Sequence, residues 1–309
     1  MNNMIAFLAS LLSGSIRMCI PIAFAALGGT LCERSGIVNM GLEGMMLMGA
    51  FSAVCGSYLS GSAYVGLLAA VVCGCMMGLI LSGLTIRYKC EHVLAGLGIN
   101  MFAGGFTIVM LQTVWGSRGK STVVAGLTAW PLPVLNRIPI IKNIIGSVSP
   151  FLVLLFVCML LVQFVLYHTV FGLRARIIGE NPYVAGSAGI DVYRTQLICV
   201  LCGSVLASIG GAYLSIGDVN LFFKDMVAGR GFIALAIVIL GGWKPRGVVL
   251  GALVFGAAQS LQIRLQAAEI PPQLVQMLPY VITILALFLV KNQGKAPAAE
   301  GTHYYRDGA

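Results

Sequence analysis

The chain has 309 residues, of which 59% are hydrophobic and only 9% are charged, and its formal net charge is +9. About a quarter of the residues of a typical soluble domain are charged, so this chain has too few charges to cover a surface in water. Its lysines and arginines form no block interleaved with aromatic residues, which excludes a nucleic-acid partner and favours the positively charged flanks of membrane spans.

Long apolar segments without charged residues recur along the chain. A helix that crosses a bilayer needs about 20 apolar residues. Because the segments do not alternate apolar with polar residues, they predict helices and not barrel strands. Residues 4–15 are too short for a span and are expected to lie at the interface. The predicted spans are 18–32, 38–58, 64–86, 93–115, 151–167, 195–216, 227–243, 247–263 and 274–290. The predicted fold class is all-α, a polytopic transmembrane helix bundle of about eight to ten spans.

Basic residues predict the orientation. If the spans alternate, four clusters lie on one side, which the positive-inside rule makes cytoplasmic. The loop 116–149 then faces outward, although it carries four basic residues, which goes against the rule. We expect a multi-pass protein of the cell (inner) membrane, with one transmembrane domain over 1–292 and a disordered cytoplasmic C-terminal tail over 293–309. The four clusters are Arg87 and Lys89; Arg174, Arg176 and Arg194; Lys244 and Arg246; and Lys291, Lys295 and Arg306.

Two polar stretches that contain glycine interrupt the apolar pattern. The first runs from Glu33 to Gly44, and the second from Asp218 to Gly231. Irregular backbone at membrane depth is tolerated only where it lines a cavity or is buried in protein, so both stretches predict broken or re-entrant helices. The first is expected to open at the cytoplasmic face and the second at the outer face, as an inverted repeat would place them.

Polar side chains in or beside the spans are candidates for a substrate pathway. An intramembrane carboxylate is a functional-site hypothesis by default, and the alternative for Glu43 is an interfacial ion pair with Arg34. For Asn100 and Gln112 the alternative is a hydrogen bond that joins neighbouring helices. The four candidates are Asn39, Glu43, Asn100 and Gln112.

The loop 172–191 is predicted to contain a short cytoplasmic helix. This helix would begin near Asn181 and Pro182, because proline favours the first helical turn. The small residues that follow, Ala185, Gly186 and Gly189 among them, would let another surface approach closely.

Three stretches, 33–51, 174–191 and 229–245, together resemble the permeases of ABC importers of the branched-chain amino acid and ribose-type family. Within that family the chain is most similar to the nucleoside-uptake branch, for which Asn39-Met40-Gly41-Leu42-Glu43-Gly44 is fairly specific. The resemblance implies inward movement of a nucleoside or similar small polar solute by alternating access. The alternatives are a simple-sugar or branched-chain amino acid permease of the same family, or an ion-coupled secondary transporter.

The resemblance also implies partners, and no cofactor in this chain. A separate cytosolic ATPase would bind ATP, a second permease subunit, related or identical, would complete the passage, and an extracytoplasmic solute-binding protein would deliver the solute. Membrane lipid would surround the spans. By the same resemblance, the ATPase-coupling loop would include Arg174, Arg176, Gly179, Glu180, Asn181, Ala185 and Gly189.

Catalytic and metal-binding patterns are weak in this sequence. Residues 116–121 are similar to a phosphate loop, but the true pattern requires a glycine where the chain has Val114. Cys199 and Cys202 could share a helix face, yet no further zinc ligands lie nearby. We therefore expect a transport subunit that is not an enzyme and binds no metal.

Overall fold

The computed structural model describes residues 2–127, 130–131, 147–266, 277, 281–282, 285 and 294–305. Within these residues, seven helices are long and apolar enough to cross a membrane, and one further apolar helix is shorter. The predicted all-α transmembrane fold is thereby confirmed. Most of the predicted last span, 274–290, lies outside the described residues.

The helices follow the apolar segments to within a few residues. They are α1 (Asn2–Arg34), α2 (Leu42–Ser60), α3 (Ala63–Ser82), α4 (His92–Trp115), α5 (Pro150–His168), α6 (Val170–Glu180), α7 (Pro182–Ser187), α8 (Val192–Ala212), α9 (Arg230–Leu240) and α10 (Pro245–Leu265). α3 and α8 each continue into a π-helical turn, over Gly83–Arg87 and Tyr213–Val219. Between α4 and α5, the two-residue strands β1 (Trp130–Pro131) and β2 (Ser147–Val148) pair antiparallel.

Helix α8 packs against α1, α2 and α3. A Cβ atom on Gly203 would lie 2.5 Å from the carbonyl oxygen of Gly28 in α1, and one on Gly211 would overlap the carbonyl oxygen of Met46 in α2. Small residues let helix backbones touch in this way, and such contacts hold helices together in lipid. The spacing from Gly203 to Gly211 is therefore a packing motif.

The prediction for the N-terminal segment is wrong. Residues 4–15 are not a separate interfacial segment, because they are continuous with the rest of α1. The hydroxyl of Ser260 in α10 donates a hydrogen bond to the carbonyl of Leu11 (3.2 Å), and a Cβ atom on Gly256 would lie 2.8 Å from the backbone nitrogen of Cys19. Small and polar residues in this stretch are contacts between α1 and α10.

The first break enters the bundle beside α4. Helix α1 ends at Arg34 and α2 begins at Leu42. The carbonyl of Met40 accepts a hydrogen bond from Asn100 (3.0 Å), which lies about two turns inside α4. Helix α2 therefore starts well inside the bundle.

The second break enters from the opposite end, beside α2. Phe222 is fully buried, and its ring lies edge-on to Phe51 of α2 with a centroid distance of 5.4 Å. The helix that follows, α9, has 11 residues and is about 16 Å long, which is too short to cross alone. The predicted extension of this span back to residue 227 is wrong, because α9 begins at Arg230.

Loops from distant parts of the sequence meet at each end of the bundle. At what we call the tail end, Lys89 donates a hydrogen bond to the carbonyl of Tyr304 (2.5 Å), and Arg34 donates to the carbonyl of Trp243 (2.9 Å). At the opposite end, the hydroxyl of Ser57 donates to a carbonyl in the loop 116–127. The basic residues of the loops after α3, around α6 and after α9 are therefore at the same end.

The C-terminal segment 294–305 is packed on the tail end, which corrects the predicted disorder of this part of the tail. The backbone N–H of Ala299 donates to the carbonyl of Gly179 (2.8 Å), and that of Gly301 donates to the carbonyl of Gly36 (3.0 Å). Backbone groups supply these bonds, so the small and polar composition of the segment does not prevent order.

Candidate functional site

Glu43 connects the two breaks. Its carboxylate accepts hydrogen bonds from the backbone N–H groups of Gly229 (2.8 Å) and Gly231 (2.7 Å). Glu43 lies in the first turn of α2 and Gly231 in the first turn of α9, so two helix N-termini meet at this carboxylate. N–H groups there lack partners within the helix and carry partial positive charge, which an anion stabilises. The predicted alternative, an ion pair of Glu43 with Arg34, is wrong, since Arg34 bonds the turn after α9.

The meeting point is near the middle of the bundle. Ser57, at the opposite end, is 14 positions further along α2, which corresponds to about 21 Å. Toward the tail end, α9 separates Glu43 from Trp243 by about 16 Å. The side chain of Glu43 is partly exposed, so it is accessible from the surface of the chain.

Three consecutive residues, Gly229, Arg230 and Gly231, shape the other half of the contact. Gly229 precedes α9 with φ of +80°, a conformation that favours glycine. A Cβ atom on Gly231 would lie 2.5 Å from the Cα of Glu43. Arg230 closes the turn by donating to the carbonyl of Val227 (3.0 Å). Sequence reasoning placed these residues in a break but missed their role; the signal was a Gly-Arg-Gly at the start of a short apolar helix.

Asn100 and Asn39 hold the start of α2. Asn100 of α4 accepts a hydrogen bond from the backbone N–H of Gly44 (2.7 Å) and so satisfies a free donor of the first turn of α2. Asn39 is fully buried; its side-chain oxygen accepts from the N–H of Gly41 (3.1 Å) and its amide donates to the sulfur of Met45 (3.4 Å). The structure thus brings Asn39, Glu43 and Asn100 together.

Gln112 lies apart from this group. It is exposed near the opposite end of α4, about 18 Å along the helix from Asn100. Its side-chain oxygen accepts a hydrogen bond from Arg118 (2.8 Å).

A second polar contact, which sequence reasoning missed, links the ends of α1 and α9. The indole N–H of Trp243 donates to the carboxylate of Glu33 (2.5 Å), and both side chains are buried. Arg34 donates to the carbonyls of Trp243 (2.9 Å) and Gly242 (3.4 Å). The turn after α9 is therefore fixed to α1 at the tail end.

The segment 116–121 does not have the geometry of a phosphate loop. After bends at Arg118 and Gly119, Lys120 pairs with Phe223 in an isolated bridge, and the N–H of Ser121 donates to the carbonyl of Phe222 (2.8 Å). A phosphate loop leads directly into a helix, and none begins in residues 116–127.

The predicted coupling loop forms two helices, α6 and α7, at the tail end. Asn181 separates them, and its side-chain oxygen caps α7 by accepting from the N–H groups of Tyr183 (3.0 Å) and Val184 (3.2 Å). This confirms the short helix predicted at Asn181 and Pro182. Gly189 follows α7 with φ of +78°.

Several of the predicted coupling residues face inward. Ala185 is fully buried in a small cluster with Ile178 and Val192. Gly179 contacts the backbone of Arg34 so closely that a Cβ atom would overlap it. Glu180 is exposed, and it accepts a weak hydrogen bond from the N–H of Ala298 (3.4 Å) at the surface. These residues position the loop on the bundle and the C-terminal segment.

Other residues of the loop face outward. Tyr183 and Val184 are 49% and 55% exposed and form an apolar surface on α7 that sequence reasoning did not single out. Arg174 is exposed, whereas Arg176 places its guanidinium 5.0 Å from the ring centroid of Tyr167.

The C-terminal segment braces α7. The ring of Tyr304 lies 5.2 Å from that of Tyr183 and 5.5 Å from that of Tyr193, measured between centroids. A Cβ atom on Gly186 would overlap the hydroxyl of Tyr304. The small residue in α7 therefore makes room for the tail.

Comparison with known proteins places the sequence among transport subunits. A sequence model of the family described as branched-chain amino acid transport system, permease component, matches residues 11–287. The match includes both breaks and the loop with α6 and α7.

Two of three curated relatives match this chain over nearly their full length, and the third matches over most of it. The nucleoside ABC transporter permease protein NupC of Lactococcus lactis subsp. cremoris (strain MG1363) is 34% identical over 98% of this chain and 99% of its own. The guanosine ABC transporter permease protein NupQ of Bacillus subtilis (strain 168) is 33% identical over 98% and 99%. A second protein of that strain, the guanosine ABC transporter permease protein NupP, is 25% identical over 90% of this chain and 80% of its own.

Proposed function

Since the chain belongs to the family of permease components of branched-chain amino acid transport systems, we propose that it is the membrane-spanning permease of an ABC importer that takes up nucleosides. The observation that carries the proposal is the identity of about a third, over almost the full length, with a nucleoside permease and a guanosine permease. Simple sugars and branched-chain amino acids are the alternative solutes within the same family.

We propose that the solute passes the meeting point of the two half-helices. Broken helices whose N-termini point at the midplane are a recurrent way to build a binding site in transporters. Glu43 and Asn100 are partly exposed there, and Gln112 lies further along the same helix, toward the opposite end. Asn39 is buried and would act by holding the shape of the first break.

A series of contacts supports coupling between the ATPase and this site. Gly179, at the end of α6, contacts the backbone of Arg34. The side chain of Arg34 is bonded to the turn after α9, and the other end of α9 is bonded to Glu43. A push on α6 and α7 would therefore be transmitted through α9 to the middle of the bundle, which is what alternating access requires.

We place the ATPase on α7 at the tail end, where Tyr183 and Val184 are exposed. The basic loops at this end support a cytoplasmic location by the positive-inside rule, and the C-terminus would then lie in the cytoplasm of the cell. The solute-binding protein would then dock at the opposite end. ATP would be bound by the ATPase subunit and not by this chain.

The second permease subunit is proposed to be a related chain. Bacillus subtilis (strain 168) has two guanosine ABC transporter permease proteins, and this chain resembles both of them, one more closely than the other. A copy of the same chain is the alternative. Co-purification of the tagged chain from its native membrane, followed by mass spectrometry of the bound proteins, distinguishes the two.

Uptake in vesicles tests the function. Vesicles that contain the assembled importer and the solute-binding protein should accumulate labelled guanosine when ATP is supplied to the ATPase side. Ionophores that collapse ion gradients should leave this uptake intact, and excess unlabelled nucleoside should compete where excess glucose or leucine does not. Uptake that needs an ion gradient and no ATP would contradict the proposal. Competition by glucose or leucine alone would show that the transported solute is a sugar or an amino acid and not a nucleoside.

A further inference from the structure

A groove between α3 and α8 remains after the transport and coupling sites have been assigned. It encloses about 740 Å³ at the tail end and lies where the two spans approach the loops. The structure lines it with Leu79, Ser82, Gly83, Ile86, Arg87, Tyr88, Lys89, Tyr193, Arg194 and Leu197.

The inner part of the groove is apolar and lies within the spans. Leu79 is 54% exposed on α3, and Leu197 faces it from α8. A Cβ atom on Gly83 would meet no atom within 4 Å, so the π-helical turn leaves this part of the groove open. From Leu79 to Arg87 the groove extends about 12 Å along the helix, into the segment that the bilayer surrounds.

The rim of the groove is basic and aromatic. Arg87 is exposed and makes no hydrogen bond or ion pair within the described part of the chain. Lys89 lies 4.6 Å from the ring centroid of Tyr193 and donates to the carbonyl of Tyr304. Arg194 is paired with Asp191 at 3.0 Å, but both side chains are largely exposed, so the pair is weak. The rim therefore carries more positive than negative charge.

We propose that this groove binds an anionic phospholipid, with the headgroup phosphate at Arg87 and Arg194 and the first part of an acyl chain between Leu79 and Leu197. Basic pockets between transmembrane helices at the membrane surface are suited to anionic headgroups. A cytosolic protein could reach the rim but not the apolar part within the bilayer. A lipid matches both parts, because it joins a charged head to a hydrocarbon chain.

Native mass spectrometry of the purified full-length chain tests the proposal. After delipidation, the chain is titrated with phosphatidylglycerol or with phosphatidylcholine, and bound lipids are counted. The wild-type chain should bind phosphatidylglycerol more tightly. Arg87→Gln should weaken that binding about fivefold, and Arg87→Gln with Arg194→Gln about 25-fold. Arg246→Gln, an exposed cation at the same end but outside the groove, is the matched control and should change little.

A second variant tests the apolar part without changing charge. Gly83→Leu places a side chain in the open space of the groove and should reduce lipid binding, while a thermal melt reports whether the variant is folded. Equal phosphatidylglycerol binding by the wild type and the double variant would overturn the proposal, as would an equal loss in Arg246→Gln. Displacement of the lipid by millimolar inorganic phosphate would identify a phosphate site instead. If Arg87→Gln lowers the recovery of the ATPase in a pull-down and leaves phosphatidylglycerol binding unchanged, the rim is a protein contact and the proposal is overturned.

Discussion

The α-carbon of Glu43 is so close to Gly231 that a Cβ atom added to the glycine would lie 2.5 Å from it. The two residues begin the two half-helices, and the same contact carries a hydrogen bond of 2.7 Å from the Gly231 N–H to the Glu43 carboxylate. Close approach and hydrogen bonding at this point depend on each other, because the bond is short only if the backbones touch.

Gly231→Ala is expected to separate the two half-helices. The added methyl group meets backbone atoms, which cannot rotate away, so we expect a loss of about 1–3 kcal/mol of stability and a large loss of uptake. Thermal unfolding in detergent and the uptake assay measure the two effects. Gly104→Ala in α4 is the control, because a Cβ atom there meets nothing within 4 Å; an equal effect of both changes would contradict this explanation.

Glu43→Gln is expected to weaken the same contact by removing an acceptor. A glutamine amide has one acceptor oxygen, so one of the N–H groups of Gly229 and Gly231 loses its partner, at a cost of about 1–3 kcal/mol. Uptake should fall with the melting temperature. Glu91→Gln makes the same chemical change at an exposed position before α4 and should leave both unchanged. If Glu43→Gln transports normally, the carboxylate has no role in the passage.

Val184→Asp is expected to disrupt docking of the ATPase. A charge in the centre of an apolar contact must be desolvated, and the loss of one such contact typically weakens binding about tenfold or more. Pull-down of the ATPase with the tagged permease measures the effect. Val123→Asp changes an exposed valine at the opposite end of the bundle and should not reduce ATPase binding. The reverse result would place the ATPase at the other end and invert the orientation.

Tyr304→Ala is expected to loosen the C-terminal segment. The change removes the aromatic contacts with Tyr183 and Tyr193, so trypsin should cut after the exposed Lys295 faster than in the wild-type chain. Tyr305→Ala, at an exposed neighbour, is the comparison variant. Equal cleavage rates in the two variants would show that Tyr304 does not hold the segment.

The packing of the segment should depend on pH through Glu300. Burial raises the pKa of the Glu300 carboxyl when the segment is packed, so the packed state binds protons more tightly than the released state. This contribution is fully present below the ordinary pKa of glutamate, about 4.3, and is lost as the pH rises through the raised value. Hydrogen exchange at the Ala299 N–H, corrected for its intrinsic pH dependence, should accelerate over that range. Glu300→Gln should remove the acceleration, and an identical profile in the variant would contradict the role of Glu300.

Much of the fold was accessible from the sequence because hydropathy is a local property. The ends of α4 and α5 were predicted to within one residue, since charged or proline residues bound their apolar runs. The start of α1 was not, because Gly14 and Ser15 look like an interruption until α10 is placed beside them. Their meaning depends on a contact about 240 residues away, which no local pattern contains.

The candidate site could be predicted only in part from the sequence, because it too depends on contacts between distant parts of the chain. Glu43 and both breaks stood out as polar groups in apolar surroundings. The contact between the two breaks could not be predicted, because the donors to Glu43 are backbone N–H groups 186 and 188 positions later in the chain. Every residue except proline has such a group, so the sequence does not single these two out. The exposed surface of Tyr183 and Val184 was missed because periodicity in a helix of six residues is too short to separate its faces.

The packed C-terminal segment has a practical consequence for anyone who works with this protein. Tyr304 rests against α7, so an affinity tag or fluorescent protein joined after residue 309 would emerge beside the surface proposed for the ATPase. A fusion at that position risks obstructing the complex with the ATPase that it is meant to isolate.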